Sequence, residues 1–189
     1  MPIRMAREAD VPAMCRIYAP YVEHTTYSFE YTPPTHEAFL QRFREHIRQF
    51  PWLVWEEQGV VLGYAYAGAP WERAAYRWCA EASVYLTPQA QGRGIGRMLY
   101  RALEGILAAQ GYRVVYALVT TENQGSVNFH MALGYTQRAV FSDCGYKMGR
   151  WLGVIWLEKR LGGDGDVEAF PVPWTALGED FWKDFDKIV

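Results

Sequence analysis

The chain has 189 residues, half of them hydrophobic and 16% aromatic, which suits one domain with a substantial core and aromatic-lined pockets. Its net charge of −2 argues against a nucleic-acid binder, which carries a basic face. Three dispersed cysteines (Cys15, Cys79, Cys144) without a C-x-x-C pair exclude a disulfide framework, and no apolar run is long enough to span a membrane, so a cytoplasmic protein is expected.

The elements read in chain order as alternating strands and helices. Ile3–Ala6 is predicted as a strand, and Asp10 caps a helix running to about Val22, with Pro12 and Pro20 tightening its limits. A polar and aromatic connection, Thr25 to Pro34, leads to a helix beginning near Thr35, with Phe39, Leu40, Phe43 and Ile47 on its apolar face. Trp52–Trp55 and Val60–Ala67 read as strands joined at Gln58-Gly59, and Ala82–Leu86 as the next strand. Ile95, Met98, Leu99, Ala102, Leu103, Ile106 and Leu107 follow helical spacing without a miss, and Gly111 ends that helix. Val114–Val119 is a buried-strand run. A short helix follows over about Gly125–Leu133, then strands near Thr136–Phe141 and Val154–Arg160. Beyond Leu161, the run Gly162 to Asp166 reads as a flexible break. Phe181, Phe185 and Ile188 share one helical face in the tail, which is expected to cover this domain or a neighbouring subunit.

Between the strand Ala82–Leu86 and the long helix lies Gln91-Gly92-Arg93-Gly94-Ile95-Gly96. A glycine turn at a helix N-terminus aims unpaired N–H groups one way, and the helix dipole adds positive character. Arg93 and Arg97 add full charges, so a polyphosphorylated ligand is expected. It is not a dinucleotide fingerprint, because Arg97 stands where the third glycine belongs, and Gly96-Arg97-Met98 is no Walker ending.

In the pattern Gln/Arg-x-x-Gly-x-Gly/Ala, Gln91, Gly94 and Gly96 stand in register. The loop thus resembles the acetyl-coenzyme A loop of the GCN5-related N-acetyltransferases (GNAT). Asn123, Ser126, His130 and Leu133-Gly134-Tyr135 stand at the family's intervals after it, so the resemblance covers roughly residues 80–135. A narrower one runs to about residue 160. Ile17-Tyr18, Pro51-Trp52-Leu53-Val54, Tyr64 to Gly68, Ala80 to Tyr85 and Lys147 to Trp151 look like the phosphinothricin and methionine sulfoximine N-acetyltransferases. Gly153 departs from that subfamily, many of whose members carry Asp there, and the loop Trp71–Ala75 is slightly short.

The resemblance implies the α/β (α+β) GNAT fold, a mixed, mostly antiparallel twisted sheet flanked by helices. The central strand pair, Ala82–Leu86 and Val114–Val119, is splayed. Residues 1–161 would form the acetyltransferase domain and 162–189 a C-terminal extension. The co-substrate would be acetyl-CoA, its pyrophosphate on Gln91, Gly92, Arg93, Gly94, Ile95, Gly96 and Arg97. Its pantetheine would lie along Val84, Tyr85 and Leu86, near Asn123 and Ser126.

Acetylating an α-ammonium group requires a base, because only the neutral amine attacks a thioester. Glu81, just before an apolar strand, suits that need, since partial burial raises a carboxylate's pKa. The resemblance puts the subfamily's general base there. His130 stands where many relatives carry a tyrosine that reaches the coenzyme sulfur; its expected role is to protonate the thiolate or to hold a water or the acceptor. His24, His36 and His46 read as surface residues, and no metal is expected.

Loops over Trp71–Arg77 and Ser142–Trp151 are expected to flank the amine site. They hold Arg73, Arg77, Lys147 and Arg150 against Glu72 and Asp143, so an acceptor with an acidic group is favoured over a polyamine. Arg73 and Lys147 are the first candidates, with Arg150 behind them and Phe29, Tyr76 and Trp78 as walls. The partners expected are a small-molecule amine and a second copy of the chain in a homodimer, with no nucleic acid and no membrane. Two alternatives stay open: acetylation of another amine, such as a protein N-terminus or polyamine, and a non-catalytic coenzyme A-binding domain.

Overall fold

A computed structural model describes residues 2–163, 165 and 169–185. One seven-stranded sheet carries the chain, in the order β1-β2-β3-β4-β5-β7-β6. The strands are β1 (Ile3–Met5), β2 (Trp52–Glu57), β3 (Val60–Gly68), β4 (Cys79–Leu86), β5 (Val114–Thr120), β6 (Thr136–Lys147) and β7 (Arg150–Arg160). Every neighbouring pair is antiparallel except β4 and β5. The helices are α1 (Val11–His24), α2 (His36–His46), α3 (Ile95–Gln110), α4 (Gln124–Ala132) and α5 (Glu179–Asp184).

Strand alternation divides the sheet into two faces. Ala65, Ala67, Ala80, Ala82, Val115, Ala117, Ile155 and Leu157 point to α3, whose Leu99, Leu103, Ile106 and Leu107 are fully buried against them. Truncating one of these leucines would cost about 2–5 kcal/mol through lost burial and a residual cavity. On the opposite face, Trp52, Val54, Tyr64 and Tyr85 pack under α1 and α2, where Met14, Tyr18, Phe39 and Phe43 are buried. Over β5 and β7 that face carries Tyr116 and Trp156, with Trp71 laid across both.

Several boundaries differ from expectation. The hairpin β6–β7 absorbs Ser142–Trp151, which the sequence presents as a loop; its polar and glycine residues hide two strands whose register shifts between Phe141 and Gly145. Met148 (φ 51°) and Gly149 (φ 77°) form its tight turn, in the left-handed geometry that matches strand twist. His46 is not on the surface. Its ring lies against Trp52 and over Gly68, where a Cβ would come within 3.2 Å, and burial lowers its pKa. At Gly153 a Cβ would sit 2.9 Å from Thr121 and 3.0 Å from the Phe141 carbonyl, so any larger residue there would force its neighbours to shift.

The C-terminal residues dock on the core around α3. Trp174, Leu177, Phe181 and Trp182 pack against the α3 core, and Phe185 is buried there. Ile188, placed by the sequence on the same face, lies outside the described residues, as do Asp164 and Asp166 of the expected break.

Candidate active site

β4 and β5 pair only from Cys79–Glu81 to Val114–Tyr116; beyond that rung β4 continues to Leu86 and β5 to Thr120 without meeting. The fork opens a cleft lined by Val84, Tyr85, Leu118, Thr120, Asn123, Ser126 and His130. It continues into a groove of about 630 Å³ between Leu86, Gln91, Gly92 and Gly96 on one side and Asn123, Gly125 and Phe129 on the other.

The glycine loop stands at the groove's mouth. Gly92 (φ 72°) and Gly94 (φ 79°) are both left-handed, and Gly94 is the N-cap of α3. That geometry is open to glycine and strained for other residues. The N–H groups of Gly92, Arg93 and Gly94 donate to nothing among the described residues, and the first turn of α3 adds its own unpaired donors. A site of unpaired donors at a helix N-terminus fits a pyrophosphate. Ile95 is buried, so only its backbone faces the loop, and Arg97 is exposed. Arg93 is paired 2.7 Å from Glu57.

On β4 the N–H and C=O of Leu86 both point away from β3, toward the hydroxyl of Tyr21 at 3.3 and 2.7 Å. Alternation gives Val84 the same open edge, whereas Tyr85 turns its amide to β3 and its ring into the α1–α2 core. Asn123 caps α4, its Oδ1 accepting from Ser126 N at 3.1 Å, so its role in the fold is helix initiation at the cleft wall.

Glu81 occupies the last paired rung, opposite Tyr116. Its carboxylate has no hydrogen bond or ion pair among the described residues, and burial raises its pKa above the ordinary value. One residue on, the Tyr100 hydroxyl lies 3.0 Å from the Ala82 carbonyl. That hydroxyl also lies 2.9 Å from His130 Nε2, while His130 Nδ1 lies 2.7 Å from the Ser126 carbonyl. A carbonyl only accepts, so Nδ1 carries the proton and Nε2 turns its lone pair to Tyr100. Burial lowers the His130 pKa to about 4, so the ring is neutral at pH 7 and holds no spare proton for a thiolate. Its surroundings favour ordering Tyr100 over acting as an acid.

The cations diverge from expectation most. Lys147 does not face an acceptor. Its ammonium is buried and donates to the carbonyls of Val22 (2.7 Å), Thr25 (2.9 Å) and Ser28 (2.6 Å), which uses all three of its protons. It ties the segment after α1 to the β6–β7 hairpin. Arg150 pairs with Glu122 at 2.8 Å, and Glu122 also accepts from Thr26. Arg73 is exposed and forms no ion pair among the described residues. Phe29 packs on Gly145, whereas Tyr27, two residues earlier, reaches the cleft. Tyr76 lies beside Trp71, and Trp78 turns outward to the extension. Tyr21, Tyr27 and Tyr100 give no signal in the sequence, since each sits in a segment whose pattern marks it as helix or loop alone.

Among the described residues no cluster of three His, Cys, Asp or Glu is placed to hold a metal, and no helix is long and apolar enough to cross a membrane.

The family model for an acetyltransferase (GNAT) domain matches residues 3–156. A phosphinothricin N-acetyltransferase of Streptomyces viridochromogenes is 41% identical over 172 residues, 90% of this chain and 91% of that protein. An L-methionine sulfoximine/L-methionine sulfone acetyltransferase of Salmonella typhimurium is 35% identical, covering 85% of this chain and 95% of the relative. Among solved structures, a GNAT superfamily phosphinothricin acetyltransferase from Sinorhizobium meliloti in complex with AcCoA superimposes with a TM-score of 0.85 at 34% identity. That match covers 90% of this chain and 96% of the other.

Proposed function

This chain belongs to the GNAT acetyltransferase family, and we propose that it acetylates the α-amine of a small amino acid or analogue carrying an acid group, of phosphinothricin or methionine sulfoximine type. It is an acetyl-CoA-dependent N-acetyltransferase. The observation that carries the acceptor chemistry is a half-buried carboxylate, Glu81, without a partner among the described residues, at the point where the sheet forks.

In this reading Gly92, Gly94 and the first turn of α3 hold the pyrophosphate, and the open edge at Val84 and Leu86 pairs with the pantetheine amides after Tyr21 gives way. The thioester carbonyl then lies in the fork. Glu81, its pKa raised by burial, removes a proton from the incoming ammonium, directly or through water. The neutral nitrogen attacks the carbonyl carbon and a new C–N bond forms; the C–S bond breaks, and the proton shed by the acylated nitrogen passes to the leaving thiolate, so that coenzyme A departs as the thiol. The N–H of Val84, on the open edge, is the donor for the developing oxyanion. Tyr100, its hydroxyl ordered by His130 and Ala82, fixes the floor of the fork. Arg73, exposed and without an ion pair among the described residues, lies two residues from Trp71 in the chain and is the candidate clamp for the acceptor's acid group.

A cytoplasmic homodimer belongs to the same proposal. Cytoplasm suits an acetyl-CoA consumer with three free thiols, and the edge of the sheet at β6, with Val140 and Phe141 both exposed, offers apolar side chains to a second copy. Sedimentation equilibrium tests the dimer. For the activity, the test is thiol release from acetyl-CoA against a panel of amines. Phosphinothricin and methionine sulfoximine should be turned over in preference to polyamines and N-terminal peptides, and turnover of those instead would overturn the acceptor class.

A further inference from the structure

A second cavity lies beside the fork. It encloses about 320 Å³ at the end of the sheet where β4 begins, with Cys79 on its wall. Cys79 and Glu81 share one face of β4, two residues and so about 7 Å apart. That distance matches the reach of a large amino-acid side chain from an α-amine held at Glu81. The volume is about twice that of an apolar cavity of ~150 Å³, which takes up benzene.

Its walls are aromatic: Phe50, Trp71, Tyr76, Tyr112 and Phe170. Trp71 lines this cavity and links it toward Glu81 through its ring contacts. One side of its ring closes the cavity, and its stack on Trp156 and edge contact with Tyr116 put it over the rung that carries Glu81. The charges on the wall, Glu72 and Arg77, cancel, and the Arg77 guanidinium lies over the Phe170 ring at 4.9 Å. Such a lining favours an uncharged side chain.

Phe170 and Pro171 come from the C-terminal extension, and they are held firmly. Trp78 stacks on Phe170 at 5.0 Å and donates to the Ala169 carbonyl at 3.1 Å. Gln110 Nε2 donates to the Val172 carbonyl at 2.7 Å, and the Val172 amide donates back to the Gln110 carbonyl at 2.9 Å. Trp174 donates to the Ile47 carbonyl at 2.7 Å. Together with a bond from Gln49 Nε2 to the Pro171 carbonyl at 3.3 Å, five hydrogen bonds and a stacked ring fix this segment where one wall of the cavity is needed.

We propose that this cavity is the side-chain pocket of the acceptor site, with Phe170 of the extension as its size-determining wall, and that it admits α-amino acids with large, uncharged, apolar side chains such as flat rings and thioethers. The inference rests on Glu81 holding the α-amine, as in the reading above. It widens the acceptor range beyond small analogues and gives the extension a part in specificity.

The test compares kcat/KM, at saturating acetyl-CoA, for alanine, methionine and phenylalanine in the wild type, in Phe170→Ala and in Cys79→Phe. The wild type should prefer phenylalanine and methionine to alanine. Opening the wall or filling the cavity should lower that preference about tenfold or more, with alanine turnover and the KM for acetyl-CoA little changed. An undiminished preference in either folded variant would overturn the proposal while leaving the acetyltransferase reading intact. A wild type that acetylates phosphinothricin or methionine sulfoximine but neither methionine nor phenylalanine would overturn the proposal and leave that reading standing, and one that acetylates only polyamines or peptides would overturn both.

Discussion

Acidification should cost this protein stability through His130, by an amount the structure sets. The ring is almost wholly buried, and its pKa is lowered to about 4 from an ordinary 6.5. Between those values the unfolded chain binds more protons than the folded one, so stability rises with pH across that window. The contribution is fully present above pH 6.5 and is lost progressively as pH falls toward 4 and below. Taken from pH 7.5 to pH 5, those two pKa values give a loss of about 2 kcal/mol. Urea denaturation at both pH values, in the wild type and in His130→Gln, isolates the term. His46, also lowered by burial, titrates in both proteins and cancels from the difference. The variant should be less stable at pH 7.5 but should lose about 2 kcal/mol less than the wild type on going to pH 5. Equal losses would mean that folding does not lower the His130 pKa, so that the ring takes up a proton at pH 5 in the folded protein as it does in the unfolded chain. It would then donate from both ring nitrogens, and its neutral, Tyr100-ordering role would be wrong.

Gly94→Glu should weaken acetyl-CoA binding by calorimetry at least tenfold. The left-handed φ of 79° is strained for any side chain, and a carboxylate there repels pyrophosphate, although a Cβ meets nothing within 4 Å. Lys147→Met should lower stability by about 2–4 kcal/mol, because three carbonyls lose a charged donor, and thermal unfolding reads this directly. Arg73→Ala should lower kcat/KM for an acidic acceptor about ten- to a hundredfold more than for its neutral amide, a charged hydrogen bond being worth about 1.5–3 kcal/mol. Equal losses on acid and amide would remove Arg73 from acceptor recognition.

The glycine loop and the strand fork are legible in the sequence because their signals are local. Gln91–Gly96 and the apolar stripe of α3 each follow from residues within two turns of one another, and the fork follows once β4 and β5 are in place. The acceptor half depends on contacts between distant segments, and there the sequence misled. Lys147 reads as a free cation because nothing in the chain shows the carbonyls of residues 22, 25 and 28 converging on it from more than a hundred residues away. The strands after Phe141 were hidden by Asp143, Gly145 and a shifted register, which break the alternation that marks a strand. Tyr100 carries no signal of its own, since a tyrosine on a buried helix is most simply core; only its hydroxyl's contact with Ala82 and His130 gives it a place in the site. The extension's aromatics predicted docking but not its target, which depends on the side-chain hydrogen bonds of Gln110 and Trp78.

The measurement that bears most directly on catalysis at the fork is the pH dependence of kcat/KM in the wild type and in Glu81→Gln, with acetyl-CoA saturating. In the wild type, activity should fall as pH drops through the burial-raised pKa of Glu81, because the protonated acid no longer accepts the amine's proton. The variant should still bind acetyl-CoA, turn over slowly near neutral pH, and recover part of its rate in alkaline solution as the amine loses its proton unaided. The same profile in both proteins, at the same rate, would contradict the assignment of the base to Glu81.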